Sequence, residues 1–428
     1  MTNTNVRNGK VFYGWWVVTA CFFISLYTGG VVVFSFTALF EPIANQFGWS
    51  YTQISLAATL QSFMQGLIAP LMGLLVDRWG PRKLVFGGVV ISSLGFILLS
   101  SITSLAMFYV AFILIYIGYS TTSGLVMMTA VANWFRRNIA MASGIAATGF
   151  AMGGLLVPLV AIILDTFGWR TAMVSIGSGM LLIPLPLSLL FRRRPEEHIN
   201  LTDGDAGSTT VVMSEDAISA KSHEVYIPVK QALKGRAFWH IAMALMFQCI
   251  ALNAVTVHIM PYLGNIGIAR SASSLAVSAI TVTNVGGRLI FGWLGDRIEK
   301  RRITAASFAL STISLLCFGY VANGGVWLLV LFLVFFGFGF GGQFTMIAPV
   351  IVEYFGRSRF GTIFGFIFAV MRVGGTIGPL LAGWVFDRWS SYQGIWFALT
   401  GLCIASVVIM VTTPATGNTT EIADKPEA

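Results

Sequence analysis

The sequence predicts an all-α membrane protein, with twelve transmembrane helices in two pseudo-symmetric six-helix bundles. Three observations carry this. Of 428 residues, 56% are hydrophobic and only 10% charged, with mean hydropathy +0.81, whereas a soluble domain carries about 25% charged residues. The apolar residues gather in twelve runs, each near or above the roughly 20 residues that a membrane helix needs. Landmarks of the first six runs then recur in the last six at nearly one offset.

The first run, 14–40, is too long for the apolar part of a signal peptide and has no small-residue cleavage site, so it reads as a span. The second, 52–76, ends in Gly73-Leu-Leu-Val-Asp77-Arg78-Trp-Gly80-Pro-Arg82-Lys83. The third and fourth, 84–102 and 105–133, lead to Trp134-Phe135-Arg136-Arg137. The fifth and sixth are 139–164 and 170–191, and Asp165 closes the fifth. These form a first bundle, 1–192. A polar linker, 193–236, follows and is expected to be largely flexible. Its end, 228–239, reads as a short basic helix on the membrane surface. A second bundle, 237–413, holds runs at 238–263, 272–295, 303–322, 325–352, 359–386 and 391–412, and a tail covers 414–428. Gly, Ser and Thr within the runs suit close helix packing in lipid.

The repeat is read from matched landmarks. Asp77-Arg78 corresponds to Asp296-Arg297, 219 residues on; Phe135 to Phe355, 220 on; and Asp165 to Asp387, 222 on. Parallel repeats of this kind are the plan of carriers that rock around a midplane site. Of the 26 Lys and Arg, 21 fall on the side that holds both termini and the linker, three on the other side, and two inside helices. By the positive-inside rule the termini are cytoplasmic. The net charge of +9 follows from this placement, so no nucleic-acid partner is called for.

The four cysteines are isolated within apolar runs, with no metal or redox spacing. No phosphate loop, His-Glu cluster or nucleophile–base pair is present, so neither an enzyme nor a cofactor or metal site is expected.

The two arginines inside helices are Arg288 and Arg372. Arg288 lies deep in the eighth run, where the side chain costs about 2.5–3.5 kcal/mol on insertion scales. A guanidinium facing an internal cavity is a planar fork that matches a carboxylate. The residue therefore points to a membrane protein that binds a small anion.

The Gly-x-x-x-Asp-Arg-x-Gly-x-Arg-Lys pattern, intact at 73–83 and degenerate at 292–302, resembles the cytoplasmic signature of the major facilitator superfamily. That resemblance spans essentially 11–413. It implies that Asp77 and Asp296, with Arg78, Arg82 and Arg297, form a conformational latch on the cytoplasmic side. Tyr13-Gly14-Trp15-Trp16, the run Asn133 to Gly153, and Asn284-x-x-x-Arg288 resemble the monocarboxylate transporter family, and the related oxalate–formate exchangers share the arginine. The resemblance implies that Arg288 binds the substrate carboxylate beside Asn284. Two departures stand out. Phe34 occupies the place nearest the family's first-span lysine, and Asn284 stands where the family has aspartate, so neither usual proton carrier is present.

Further substrate-binding candidates are Tyr119, Tyr27, Gln343 and Arg372, each set against a helix-packing role. Arg372 would add a second anion contact, hence a dicarboxylate; its alternative is an arginine snorkelling or bonding backbone carbonyls between helices. His258 is the one histidine deep enough to carry a proton, against a structural role. The expected function is a monomeric secondary carrier in a bacterial cytoplasmic membrane, moving a small carboxylate such as lactate or pyruvate with a proton. The alternatives are a dicarboxylate or anion exchanger, an organic-acid efflux carrier, and a membrane carboxylate sensor.

Overall fold

The computed structural model describes residues 12–34, 42–43, 46–49, 51–135, 138–191 and 228–414. The end of the first predicted span, Arg136-Arg137, most of the linker and nearly all of the tail lie outside these residues.

Twelve long helices appear where the apolar runs predict them, and no strand occurs among the described residues. We label them in chain order. In the first half, α1 is Gly14–Thr28 with a π-helical continuation Gly29–Phe34, α2 is Tyr51–Trp79 and α3 is Pro81–Ser100. α4 is Leu105–Trp134, α5 is 139–167 and α6 is 169–188. In the second half, α7 is Arg236–Asn265, α8 Arg270–Gly295, α9 Lys300–Gly324, α10 Val326–Phe355, α11 Phe360–Trp389 and α12 Gln393–Val411. Eleven described helices are long and apolar enough to cross a membrane, and α2 supplies a further 29-residue helix. The chain is thus a multi-pass membrane protein. The single basic helix expected at 228–239 is instead two pieces: a short helix, Val229–Lys234, and then α7, which starts after Gly235.

Several helices are irregular, and each break has a local cause. α4 is interrupted at Ser123 (φ −73°, ψ 168°). Just before it, the hydroxyls of Ser120, Thr121, Thr122 and Ser123 all bond back to carbonyls three or four residues earlier, which weakens the helical ladder. α5 tightens into a 3₁₀ turn at Gly153–Leu156. The chain breaks between α5 and α6 at Gly168, whose φ of +79° suits glycine.

Small residues let backbones meet. A Cβ on Gly88 or Gly118 would strike the facing helix in the α3–α4 pair, and one on Gly339 would strike Ser311 in the α9–α10 pair. Between the halves, α2 packs on α11 and α5 on α8. Gly73 meets the backbone of Gly361 and Thr362, Gly365 meets Ala69, Gly144 meets the Arg288 carbonyl, and Gly292 meets Ala140. These contacts run from the depth of Arg288 to the end of the bundle that carries the basic loops.

Candidate functional site

Asn284 and Arg288 lie one turn apart on α8, so they share a face. Each is only 3% exposed. Arg288 Nε donates to Asn284 Oδ1 at 2.8 Å, and Nη1 donates to the Ala147 carbonyl of α5 at 2.5 Å. The guanidinium carbon stands 5.8 Å from the Phe344 ring centroid of α10. Its cation therefore sits at the seam between the halves. No carboxylate pairs with it among the described residues. Toward the basic end the same region of α8 is closed by Phe291 and Gly292. Toward the other end, on the face of Asn284 and Arg288, Val277 and Thr281 are exposed.

Arg372 of α11 is half-buried. Its guanidinium lies 4.6 Å from the Phe368 ring centroid and makes no hydrogen bond or ion pair among the described residues. Its Cβ faces Gly66 of α2, and Tyr119 of α4 and Cys249 of α7 lie within reach of its charge. No bond from its guanidinium to a backbone carbonyl, one of the alternatives for this residue, occurs among the described residues. Tyr119 itself is 5% exposed and neighbours Arg372.

Other sequence candidates sit elsewhere. The Tyr27 hydroxyl donates to the Ile176 carbonyl of α6 at 3.0 Å, which joins α1 to α6. Gln343 is fully buried one turn after Gly339, on the face that packs against α9, and its Nε2 has no partner among the described residues. His258 has both ring nitrogens engaged, Nδ1 with the Tyr392 hydroxyl at 3.1 Å and Nε2 with the Pro379 carbonyl at 3.0 Å. It ties α7 to α11 and to the start of α12.

The two aspartates of the repeated motif cross between the halves. Asp77 at the end of α2 accepts from the backbone N–H of Gly361 (3.0 Å) and Thr362 (2.8 Å) and from the Thr362 hydroxyl (2.6 Å), at the start of α11. Asp296 after α8 accepts from the N–H of Ala140 and Met141 at the start of α5, both at 2.9 Å. Each carboxylate thus fills unsatisfied donors at a helix N-terminus, where negative charge is favoured. Arg82 and Arg297 are exposed, and Arg297 lies over the Trp293 ring at 3.9 Å. Arg357, before α11, adds a bond to the Phe135 carbonyl at 2.7 Å. Sequence reasoning missed this strap, and it missed Ala147 as a partner of Arg288. A backbone acceptor leaves no signal in residue identity; Phe344 had none beyond being one aromatic among many.

Two six-helix halves, closed against each other at one end around a buried cation that has no carboxylate partner among the described residues, define a membrane transporter. The sequence model of the Major Facilitator Superfamily matches residues 15–266 and 257–427, and the chain belongs to that superfamily. Among curated relatives, mouse monocarboxylate transporter 12 is 26% identical over 92% of this chain and 83% of its own length. The oxalate:formate antiporter of Oxalobacter formigenes is 24% identical, over 89% of this chain and 88% of its own. Among solved structures, the proton:xylose symporter XylE superposes with a TM-score of 0.73 at 14% identity, over 94% of this chain and 96% of its own. The human organic anion transporter MFSD10 gives 0.67 at 15%, over 93% and 99%. At such identity these two speak for the fold alone.

Proposed function

We propose that the protein is a secondary carrier of a small organic anion, foremost a monocarboxylate such as lactate or pyruvate, that works by alternating access. The observation that carries this is Arg288, a buried guanidinium at the seam of the halves with no carboxylate partner. Two of its five N–H donors are committed. The others suit a substrate carboxylate, and an anion there offsets the cost of the buried charge. The names of relatives such as the monocarboxylate transporters support this class of substrate.

In this reading the bundles 1–192 and 237–413 rock about the arginine, joined by the linker 193–236 and followed by the tail 414–428. The basic end faces the cytoplasm of a bacterial cell, by the positive-inside rule. Asp77 and Asp296 act as the latch of that end, and their bonds across the halves support reading it as shut, as in an outward-facing state; the carrier works as a monomer.

Electroneutral uptake with one proton avoids about 2.3 kcal/mol per 100 mV for the charge moved. His258 is occupied by Tyr392 and Pro379, so the proton rides on the substrate carboxylate. A second reading, anion exchange, is favoured by one observation: Arg372 is a second cation without an acidic partner. Proteoliposomes separate the two. Symport is supported if an inward proton gradient drives lactate accumulation into empty vesicles. Transport that requires preloading with another carboxylate, and ignores the gradient, decides for exchange. No uptake of any carboxylate in either format overturns the reading as a whole.

A further inference from the structure

The end of the linker carries charge that the carrier cycle does not use. Lys230 and Lys234 lie one turn apart in the short helix Val229–Lys234, so they share a face. Both are exposed, while Ala232 on the opposite face is buried, and the helix packs against α7 and α11. Gly235 leads the chain into α7, whose first residue, Arg236, is exposed as well. The Trp239 indole N–H donates to the Leu233 carbonyl at 3.0 Å. That bond fills one of the acceptors left open at the end of the short helix and ties it to α7. The three cations are thus held at the membrane end of a transmembrane helix.

No acid is matched to them. No Asp or Glu occurs between Glu224 and Asp296, and Lys230, Lys234 and Arg236 form no ion pair among the described residues. Acids on the neighbouring elements are engaged. Glu353, near the end of α10 that meets α7 through Phe355 and Phe238, pairs with Lys300 at 3.3 Å, and Asp77 caps the head of α11. The other basic group of this half is different: Arg301 and Arg302 bond Glu299 at 2.9 and 2.7 Å, and Arg297 covers the Trp293 ring.

An aromatic ring lies on the membrane side of the cations. Trp239 is half-exposed and follows Arg236 by three residues on one face, about 4.5 Å farther along α7. This is the vertical order of a phospholipid. The phosphate comes level with the cations, and the glycerol and first acyl carbons come level with the indole, a ring that favours that depth.

We propose that this corner binds an anionic phospholipid of the leaflet at the basic end. Lys230, Lys234 and Arg236 hold its phosphate, and Trp239 lies against its glycerol region. A zwitterionic headgroup fits less well, because its ammonium meets three cations that no acid offsets. Each Lys or Arg near an anionic surface strengthens association about fivefold, so the three together are expected to give roughly 10²-fold. Nothing in this depends on which solute the carrier moves.

The test is native mass spectrometry of the full-length protein in detergent, titrated separately with phosphatidylglycerol and with phosphatidylcholine of the same acyl chains. The first phosphatidylglycerol should bind roughly 10²-fold tighter than the first phosphatidylcholine. With Lys230→Gln, Lys234→Gln and Arg236→Gln combined, that preference should fall to near one. If this triple variant does not fold, Lys230→Gln with Lys234→Gln, which leaves α7 untouched, should lower the preference to about fivefold. Lys83→Gln with Arg302→Gln removes two exposed cations elsewhere at the basic end and should leave the preference unchanged. A wild-type preference near one, or an unchanged preference in a folded linker variant, overturns the proposal. So does an equal loss in the Lys83/Arg302 variant, which would assign the effect to net charge. Displacement of the lipid by sn-glycerol 3-phosphate, which has a phosphate and no acyl chain, would mark a site for a soluble anion and overturns it too.

Discussion

The two inter-bundle carboxylates are unequal, and the inequality can be measured. Asp77 accepts three hydrogen bonds at the head of α11, and Asp296 accepts two at the head of α5. Asparagine keeps the shape but offers one acceptor oxygen and sets an NH₂ against the remaining donors. A hydrogen bond to a charged group is worth about 1.5–3 kcal/mol. Two of the Asp77 bonds, from the N–H and hydroxyl of Thr362, share Oδ2, so Asp77→Asn with its amide oxygen there loses the Gly361 bond and weakens the other two, about 2.5–4 kcal/mol. Asp296→Asn loses one and weakens one, about 2–3 kcal/mol. At 1.4 kcal/mol per decade, Asp77→Asn should shift the equilibrium away from the closed basic end by roughly 10²- to 10³-fold, and Asp296→Asn by roughly 10- to 10²-fold. Spin labels at Lys83→Cys and Ile298→Cys read this directly. Both positions are exposed, one on each half beside the motif. The inter-label distance distribution should lengthen more in Asp77→Asn than in Asp296→Asn. An opening as large in Asp296→Asn, or none in either, would refute the reasoning.

Other outcomes follow from the same geometry. Arg288→Lys keeps the charge but loses the fork, so one charge-assisted bond to the substrate goes; affinity for pyruvate should fall about 10- to 150-fold by calorimetric titration. His258→Gln should leave the pH profile of proteoliposome uptake unchanged, because both ring nitrogens already bond within the fold, and a profile that loses its pH dependence would make this histidine the proton carrier. Tyr27→Phe should cost about 1 kcal/mol of stability, seen as a lower melting temperature with KM unaltered. Arg372→Gln should reduce inhibition of lactate uptake by dicarboxylates while sparing inhibition by monocarboxylates; equal loss of both would count against a second anion contact.

The twelve helices were legible because hydropathy is a property of runs, and their pairing was legible because duplicated landmarks survive in Asp77 and Asp296. The latch residues were legible as a pattern, although their partners were not. Gly361, Ala140 and Met141 contribute backbone N–H groups, and any residue other than proline has one. Arg288 was readable because a cation in an apolar run is anomalous by itself. Tyr27, Gln343 and His258 were ambiguous for the opposite reason. A polar side chain in a membrane helix serves packing as readily as ligand, and its direction depends on neighbours more than a hundred residues away, such as Ile176 for Tyr27 and Pro379 for His258. The breaks in α4 and α5 had small or hydroxyl residues as a signal, but many unbroken helices here carry the same ones.

The π-helical continuation of α1 bears on how this chain is to be aligned. A π turn closes its hydrogen bond over five residues where an α turn uses four. One extra residue in a turn advances the described residues that follow it by about 100° around the axis relative to an unbroken helix. The 3₁₀ turn of α5, Gly153–Leu156, departs in the opposite sense at the depth where the two helices touch, with Gly30 against Gly153 and Leu156. One helix is locally underwound and its neighbour overwound. The π-helical stretch runs to Phe34, the position that letter-by-letter matching sets at the lysine of the resembled family. In this part of α1, equivalence between relatives has to be judged by angle about the helix axis, and a search for a substituted lysine belongs on the neighbouring side chains as much as on Phe34.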